Sequence, residues 1–366
     1  MKFMCNTKPL VDSVSMAVIN SNVSNFYKKS CILQLTCEND TLFVNVESQN
    51  ICTEIMLPGK SDGEKSTVFV DSIKFKNLLN TLDSNSLTLE FESWGLTIRS
   101  GKSKFTLPKV IDDGEFELNR PNNGDVESDY IEFNVEDWKF VQNRQLYAIA
   151  TTFINPVYTN VWVGEDGDCI TGDMDTGLFT HATINGIGVT CLLSDTIVRL
   201  FTSLPENSKF IGIGNGSYLI ESKNEGYTYK TEFTPLYESN ENVGEYNSNI
   251  FLSMMEHPSD FTNVDTSFLS KSLNQATLLS TSSTDVITFK VDGNNVALID
   301  TNIQSILDCN GSSDLKYEIE FRLSLLKKVI SNYDGEVCIS PIYQENDVVG
   351  ILVWDDYVTT ILSGIE

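Results

Sequence analysis

The chain has 366 residues, with 25 Lys+Arg against 51 Asp+Glu and a net charge of −26 at neutral pH. Hydrophobic residues make up 41% and charged residues 21%, which excludes a disordered acidic tail, and the length exceeds what a single core usually holds. Spread evenly, such a charge would repel nucleic acid, so the placement of the few basic residues decides what the chain can bind.

Residues 1–6 lack the apolar stretch of a signal peptide, and no run reaches the ~20 apolar residues that span a membrane. A cytoplasmic protein without membrane contact is expected. None of the eight cysteines forms a C-x-x-C pair, and His181 and His257 lie far apart. The cysteines read as small buried hydrophobes of a reducing compartment, and no metal or cofactor is expected.

In chain order, apolar spacing predicts a helix over 7–20. A hairpin follows, Leu33-x-Leu35 turning at Glu38-Asn39-Asp40 into Leu42-x-Val44-x-Val46. A second helix is predicted at 72–83, then a hairpin with Ser93-Trp94-Gly95 at its turn. The acidic, Asn/Gly-rich stretch 112–127 reads as a linker. The same order then recurs. A helix at 136–150 precedes a turn at Glu165-Asp166-Gly167-Asp168, and a helix at 195–204 precedes a turn at Gly214-Asn215-Gly216. After a linker at 238–249, Asp265 caps a helix at 265–280, and Asp292-Gly293-Asn294-Asn295 forms a turn. A last helix at 321–334 precedes the turn at Gln344-Glu345-Asn346-Asp347.

The first turns centre near 39, 167 and 293, and the second helices start at 72, 195 and 321. One period of roughly 125 residues fits whole domains rather than solenoid units. The expected fold class is α+β: three repeated modules at 1–120, 128–240 and 248–366, each an antiparallel sheet under two helices.

The six helix windows hold ten basic residues, namely Lys8, Lys74, Lys76, Lys139, Arg144, Arg199, Lys271, Arg322, Lys327 and Lys328, against seven acidic ones. Their balance is +3, leaving −29 for the rest of the chain. Five of the seven acids sit at helix ends, where capping accounts for them. Either these lysines and arginines are ordinary solvated side chains, or the helices line a path for a polyanion.

Catalytic patterns are weak. Asp175-Thr176-Gly177 spells an aspartic-protease triplet, but its near-copy at Asp300-Thr301 ends in Asn302. The acidic run 166–175 lacks the glycine and glutamate of a calcium loop. No phosphate loop, nucleophile triad, recognition helix or stacking aromatic platform is evident, and an enzyme is not expected.

Four patches resemble the bacterial sliding clamp, the DNA polymerase III beta subunit family, in bacterial or phage form. These are 70–79 (VDSIKFKNLL), 96–107 (LTIRSGKSKFTL), 274–280 (NQATLLS) and 356–362 (DYVTTIL). The second is the most specific, resembling the family's "RSG-basic-S-basic-F-x-L" strand pair.

The resemblance implies a non-enzymatic processivity factor. Two chains would form a head-to-tail homodimer, a ring of six modules with antiparallel sheets outside and helices inside. The ring would encircle double-stranded DNA, with the ten basic residues facing the pore. Phe105 and Leu107 of one chain would meet Leu278 and Leu279 of the other, or all four would serve as core within their own domains. A pocket formed by Met174, Thr176, Phe179, Val358, Thr360 and Leu362 would take short peptides of a DNA polymerase and clamp loader. The family's His-Arg pair is replaced here by Gly177-Leu178, which bears on the peptide taken. The alternative is a monomeric interaction protein with the clamp fold that binds partner peptides without encircling DNA.

Overall fold

A computed structural model describes residues 1–21, 32–48, 51–111, 118–121, 134–151, 157–205, 208–212, 216–224, 226–235, 248–279, 285–300, 304–311 and 314–365. The expected linkers at 112–127 and 238–249, the Gly214-Asn215 turn, Cys31 and Thr301-Asn302 lie largely or wholly outside the described residues.

The chain opens with β1 (Lys2–Asn6) and α1 (Thr7–Ser21). Next come β2 (Ile32–Glu38), β3 (Thr41–Ser48), β4 (Ile51–Pro58), β5 (Lys60–Ser61), β6 (Lys65–Asp71), α2 (Ser72–Leu79), β7 (Ser86–Glu92), β8 (Gly95–Ser100) and β9 (Ser103–Pro108). The middle of the chain holds α3 (Val135–Arg144), β10 (Asn160–Val163), β11 (Asp168–Asp173), β12 (Leu178–Thr183), β13 (Cys191–Ser194), α4 (Asp195–Thr202), β14 (Lys209–Gly212), β15 (Tyr218–Asn224) and β16 (Tyr227–Phe233). The last part begins with α5 (Ser248–Met254), β17 (Thr262–Asp265), α6 (Thr266–Leu279), β18 (Val286–Asp292), β19 (Asn295–Ile299), β20 (Gln304–Asp308) and β21 (Asn310–Gly311). It closes with β22 (Lys316–Arg322), α7 (Leu323–Ile330), β23 (Glu336–Gln344), β24 (Asp347–Trp354) and β25 (Thr359–Ser363).

Each of the six expected helices appears, with ends moved by capping. Asp71 starts α2 by accepting the Lys74 N–H at 2.8 Å, and Asn80 closes it through Lys76 O. Asp265 accepts the Ser267 N–H at 2.7 Å and caps α6. Asp285 accepts the Ser324 N–H at 3.2 Å and the Ser324 hydroxyl at 2.6 Å, so α7 begins at Leu323. α3 ends at Arg144, ahead of a single 3-10 turn at Leu146–Ala148. The helix α5 was not expected; its apolar residues are too few to show a period.

All strand pairing among the described residues is antiparallel. The sheets do not stop where the repeat does. By compactness the chain falls into two units, residues 1–138 with 196–235, and residues 139–195 with 236–366. The strands of the expected middle module are shared out between them.

The first unit holds a five-stranded sheet, β5-β1-β7-β8-β9, and a seven-stranded sheet, β14-β15-β16-β4-β3-β2-β6. In the latter, β16 pairs with β4, and Thr53 and Thr231 share a buried hydroxyl–hydroxyl bond of 2.7 Å across the junction. Helix α1 packs on β3, β4 and α2. Its apolar stripe Leu10, Val14, Ala17 and Val18 is fully buried, as are Phe75 and Leu79 of α2.

The second unit holds a nine-stranded sheet, β13-β10-β11-β12-β25-β24-β23-β17-β21, and a four-stranded sheet, β20-β19-β18-β22. Its main core joins Leu269, Leu273 and Ala276 of α6 to Leu326, Val329 and Ile330 of α7, with Leu178, Ile339, Val353 and Leu362 from the large sheet and Phe289 and Phe321 from the small one. The other face of the large sheet carries Phe179, Leu352, Trp354 and Ile361 with Met255, and Phe251 of α5 packs against them.

Candidate functional site

Nine of the ten basic residues lie on helices, as expected, but Arg322 is the last residue of strand β22, because α7 begins only at Leu323. Lys8, Lys74, Lys139, Arg199, Lys271, Arg322 and Lys328 are exposed, and Lys76 and Lys327 are half-buried. Lys74 lies 3.8 Å from Asp71, its helix cap, which dilutes its charge. Lys328 Nζ stands 5.9 Å from the Tyr147 ring centroid.

Arg144 departs from this pattern. Its guanidinium is mostly buried and pairs with the Asp355 carboxylate. Its Cζ lies 5.1 Å from the Tyr333 ring and 6.0 Å from that of Phe140. Asp355 also accepts the backbone N–H groups of Tyr357 at 2.9 Å and Val358 at 2.8 Å. The charge of Arg144 is therefore spent on tying α3 to the β24–β25 turn. Counting charges along the sequence missed a partner more than two hundred residues away.

Of the residues expected at a dimer contact, Phe105 and Leu107 lie on β9, an edge strand. Phe105 is half-buried and Leu107 is buried, its neighbour across the ladder being Leu96. Leu278 and Leu279 end α6 and are 83% and 54% exposed, so they are not core residues of the second unit. Ile306, on the edge strand β20 of that unit, is 58% exposed.

The two segments expected to form a peptide pocket do meet: β12 pairs with β25, Leu178 opposite Leu362 and Phe179 opposite Ile361. They do so in a register that divides the expected set. Val358 and Leu362 belong to the helix-side core, and Thr360 is buried beneath Tyr333 and Tyr147, whose hydroxyls lie 2.7 and 3.1 Å from its Oγ1. Burial pushes both phenols above their ordinary range. Phe179 faces the opposite side, 4.7 Å from the Phe251 ring, where Ile361 and Trp354 join it. Strand residues alternate faces, so Thr359 and Ile361 of β25 lie on the side of the sheet away from α6 and α7, where both are buried. Met174 is 58% exposed in the β11–β12 turn, with Thr176 half-buried beside it. Gly177 closes that turn at φ +62, and a Cβ there would lie 2.4 Å from the Ser363 side chain. The Asp-Thr-Gly triplet is thus a tight turn.

The two histidines, far apart in sequence, both lie beside Thr359. His181, the cross-strand neighbour of Thr359, has its Nε2 2.9 Å from Asp168 Oδ1, while His257 stacks on Trp354 at 4.8 Å and reaches Thr359 Oγ1 at 2.8 Å. Desolvation, followed by the nearby His181, holds His257 below the ordinary histidine range. No cluster of three metal-ligating side chains occurs among the described residues, and no helix there is long and apolar enough to cross a membrane.

No family model and no curated protein matches the chain by sequence. Its structure matches that of a DNA polymerase III beta subunit of Thermotoga maritima with a TM-score of 0.80 at 12% identity, covering 100% of this chain and 99% of that one. A putative beta subunit of Eubacterium rectale matches at 0.79 and 15% identity, with the same coverage. The fold is that of the bacterial sliding clamps. A Helicobacter pylori beta clamp bound to a DNA ligase peptide also matches over the whole of both chains, at 0.71 and 14% identity. The clamp fold thus extends across both compact units of this chain.

Proposed function

We propose that the protein is a DNA sliding clamp, a processivity factor that encircles duplex DNA and tethers a replicative polymerase. The observation that carries this reading is the full-length match to bacterial clamps, with TM-scores of 0.80 and 0.79. In this reading the chain is three modules, 1–120, 128–240 and 248–366, and two chains close head to tail into a ring by rotation. The exposed end of α6 and the edge strands β9 and β20 supply apolar surface for that closure. The helix cations Lys8, Lys74, Lys76, Lys139, Arg199, Lys271, Lys327 and Lys328, with Arg322 at the end of β22, face the DNA, and Arg144 serves instead as a tie.

A ring need not read bases. Topology retains the DNA, so only weak, salt-screened attraction to phosphates is required, and stronger contacts would hinder sliding. The acidic remainder of the chain discourages DNA from lying elsewhere. Tethering a polymerase raises its effective concentration at the template. Partner peptides of the polymerase and loader dock at the β11–β12 turn, where Met174 is exposed and Thr176 half-buried, beside the face of the large sheet that carries Phe179.

The test is retention on nicked circular DNA after loading, followed by linearisation. A sliding clamp stays on the circle and runs off the cut molecule; retention after cutting would sink the reading. The sparse positive charge, reduced further by the Arg144–Asp355 pair, favours a second reading as a monomeric peptide-binding protein. Light scattering at micromolar concentration separates the two, since a stable monomer is incompatible with a dimeric ring.

A further inference from the structure

In the second unit, a short segment of the chain itself closes the face of the nine-stranded sheet that lies away from α6 and α7. Phe179, Leu352, Trp354 and Ile361 line that face and are buried. They are covered by α5 and the residues that follow it. Phe251 stands over Phe179 with ring centroids 4.7 Å apart, and Tyr158 meets the same Phe179 ring edge-on at 6.4 Å. Met255 is buried in the cluster, and His257 stacks on Trp354 and lies 2.8 Å from Thr359 Oγ1. Phe251 and Leu252 also pack on a neighbouring apolar patch around Trp162 and Ile170. The seat is shaped for a ring: Phe179 lies against Gly172, where a Cβ would fall 2.1 Å from the phenyl. This cover is separable from the sheet it sits on. The ladders beneath it, β12 with β25 and β25 with β24, need nothing from α5, and the main core of the unit lies on the other face. Helix α5 is seven residues long, with Phe251 and Leu252 half-buried and Met254 46% exposed. A helix so short does not hold its shape alone and persists only through what it buries.

We propose that the sheet face under α5 is a latent peptide site, occupied in the free chain by its own Phe251 and Leu252 and released to an apolar, aromatic-bearing segment of a partner. The chemistry of the occupant follows from the seat. Uncovered, the face would present a contiguous apolar patch to water, so an apolar segment must cover it, and the place over Phe179 takes a ring. For the identity of the partner this rests on the clamp reading, in which peptides dock at the β11–β12 turn. That turn runs directly into Phe179, so a peptide anchored at the exposed Met174 meets the covered face as its next apolar surface. Its apparent affinity is lowered by the free energy needed to lift α5, and the segment thereby sets a threshold for docking.

Two measurements on the full chain test this. In native-state hydrogen exchange, the amides of α5 should exchange through a local opening, at least about tenfold faster than those of β24 and β25 relative to their intrinsic rates. Phe251→Ala should speed α5 by a further factor of about ten or more, since an aromatic anchor is lost, and leave β24 and β25 unchanged. Exchange of α5 only in step with the sheet would overturn the proposal. In fluorescence anisotropy, the probe is a labelled synthetic peptide of residues 248–259. It should bind the Phe251→Ala chain at least about tenfold more tightly than the wild type, where the tethered copy has the advantage of effective concentration. The same peptide carrying Phe251→Ala should not bind. His257→Ala loosens the cover from its other end and should act in the same direction. Equal binding by the wild type and both variants, or binding by none of them, would overturn the proposal. Neither measurement uses DNA or a ring. A separable cover that takes the peptide, combined with failed retention on circles, would remove the clamp reading and leave the peptide site standing; retention on circles with α5 exchanging only alongside the sheet would do the reverse.

Discussion

Arg144 and Asp355 form a mostly buried ion pair whose members lie on α3 and the β24–β25 turn. Removing one partner leaves the other charge without compensation, which costs about 3–5 kcal/mol for a buried pair. Arg144→Ala should lower the urea midpoint accordingly, and a midpoint equal to the wild type would show that the pair contributes nothing. The buried thiols give a second expectation at this scale. Desolvation raises Cys5 and Cys191 to about 12 and Cys37 to about 11, so their reactive thiolates are scarce at neutral pH. In the native protein these three should resist an aromatic disulfide reagent and react once urea is added. The expectation of small buried cysteines matches Cys5, Cys37, Cys169 and Cys191, which are buried. The role of Arg144 was not legible, because a positive residue on a helix reads the same whether its partner is water or a distant carboxylate.

Elements were legible where an apolar period was long enough. The stripe Leu269, Leu273 and Ala276 of α6 is buried, and Leu273→Ala should cost about 2–5 kcal/mol by equilibrium unfolding. The next residues of the same helix behave differently. Leu278 and Leu279 are exposed at its end, so Leu278→Arg with Leu279→Arg should leave the melting temperature of the isolated chain unchanged while abolishing dimerisation in light scattering. Dimers that persist in that variant would remove α6 from the proposed contact. Strand β25 shows the limit of sequence reading most clearly. Its place beside β12 is as the resemblance implied, yet the candidate pocket residues Val358, Thr360 and Leu362 turned inward. A strand of uniformly buried residues gives no alternation to read, so the parity of its faces is set by the partner strand.

For the whole molecule, charge placement leads to the last prediction. Lys327→Glu with Lys328→Glu should shorten retention on nicked circles, and raising salt should weaken retention of the wild type less steeply than for a protein making many phosphate contacts. Unchanged retention in that variant would take α7 out of the proposed pore. The match to clamps spans the full length, although only short patches of the sequence resemble the family. A fold specified by burial pattern and strand order tolerates many exchanges of one apolar side chain for another.

The sequence by itself determined six of the helices, the hairpins and their recurrence, because periodicity, turn residues and caps act within a few residues of one another. It also showed that the basic residues favour helices and the acids the remainder. Only the tertiary structure decided that the middle strands are divided between two sheets, that Arg144 is neutralised, that Phe179 and Thr360 lie on opposite faces of the large sheet, and that Tyr357 meets Phe140. Each of these depends on a pairing between residues far apart in the chain, where register and burial arise from the packing of whole elements.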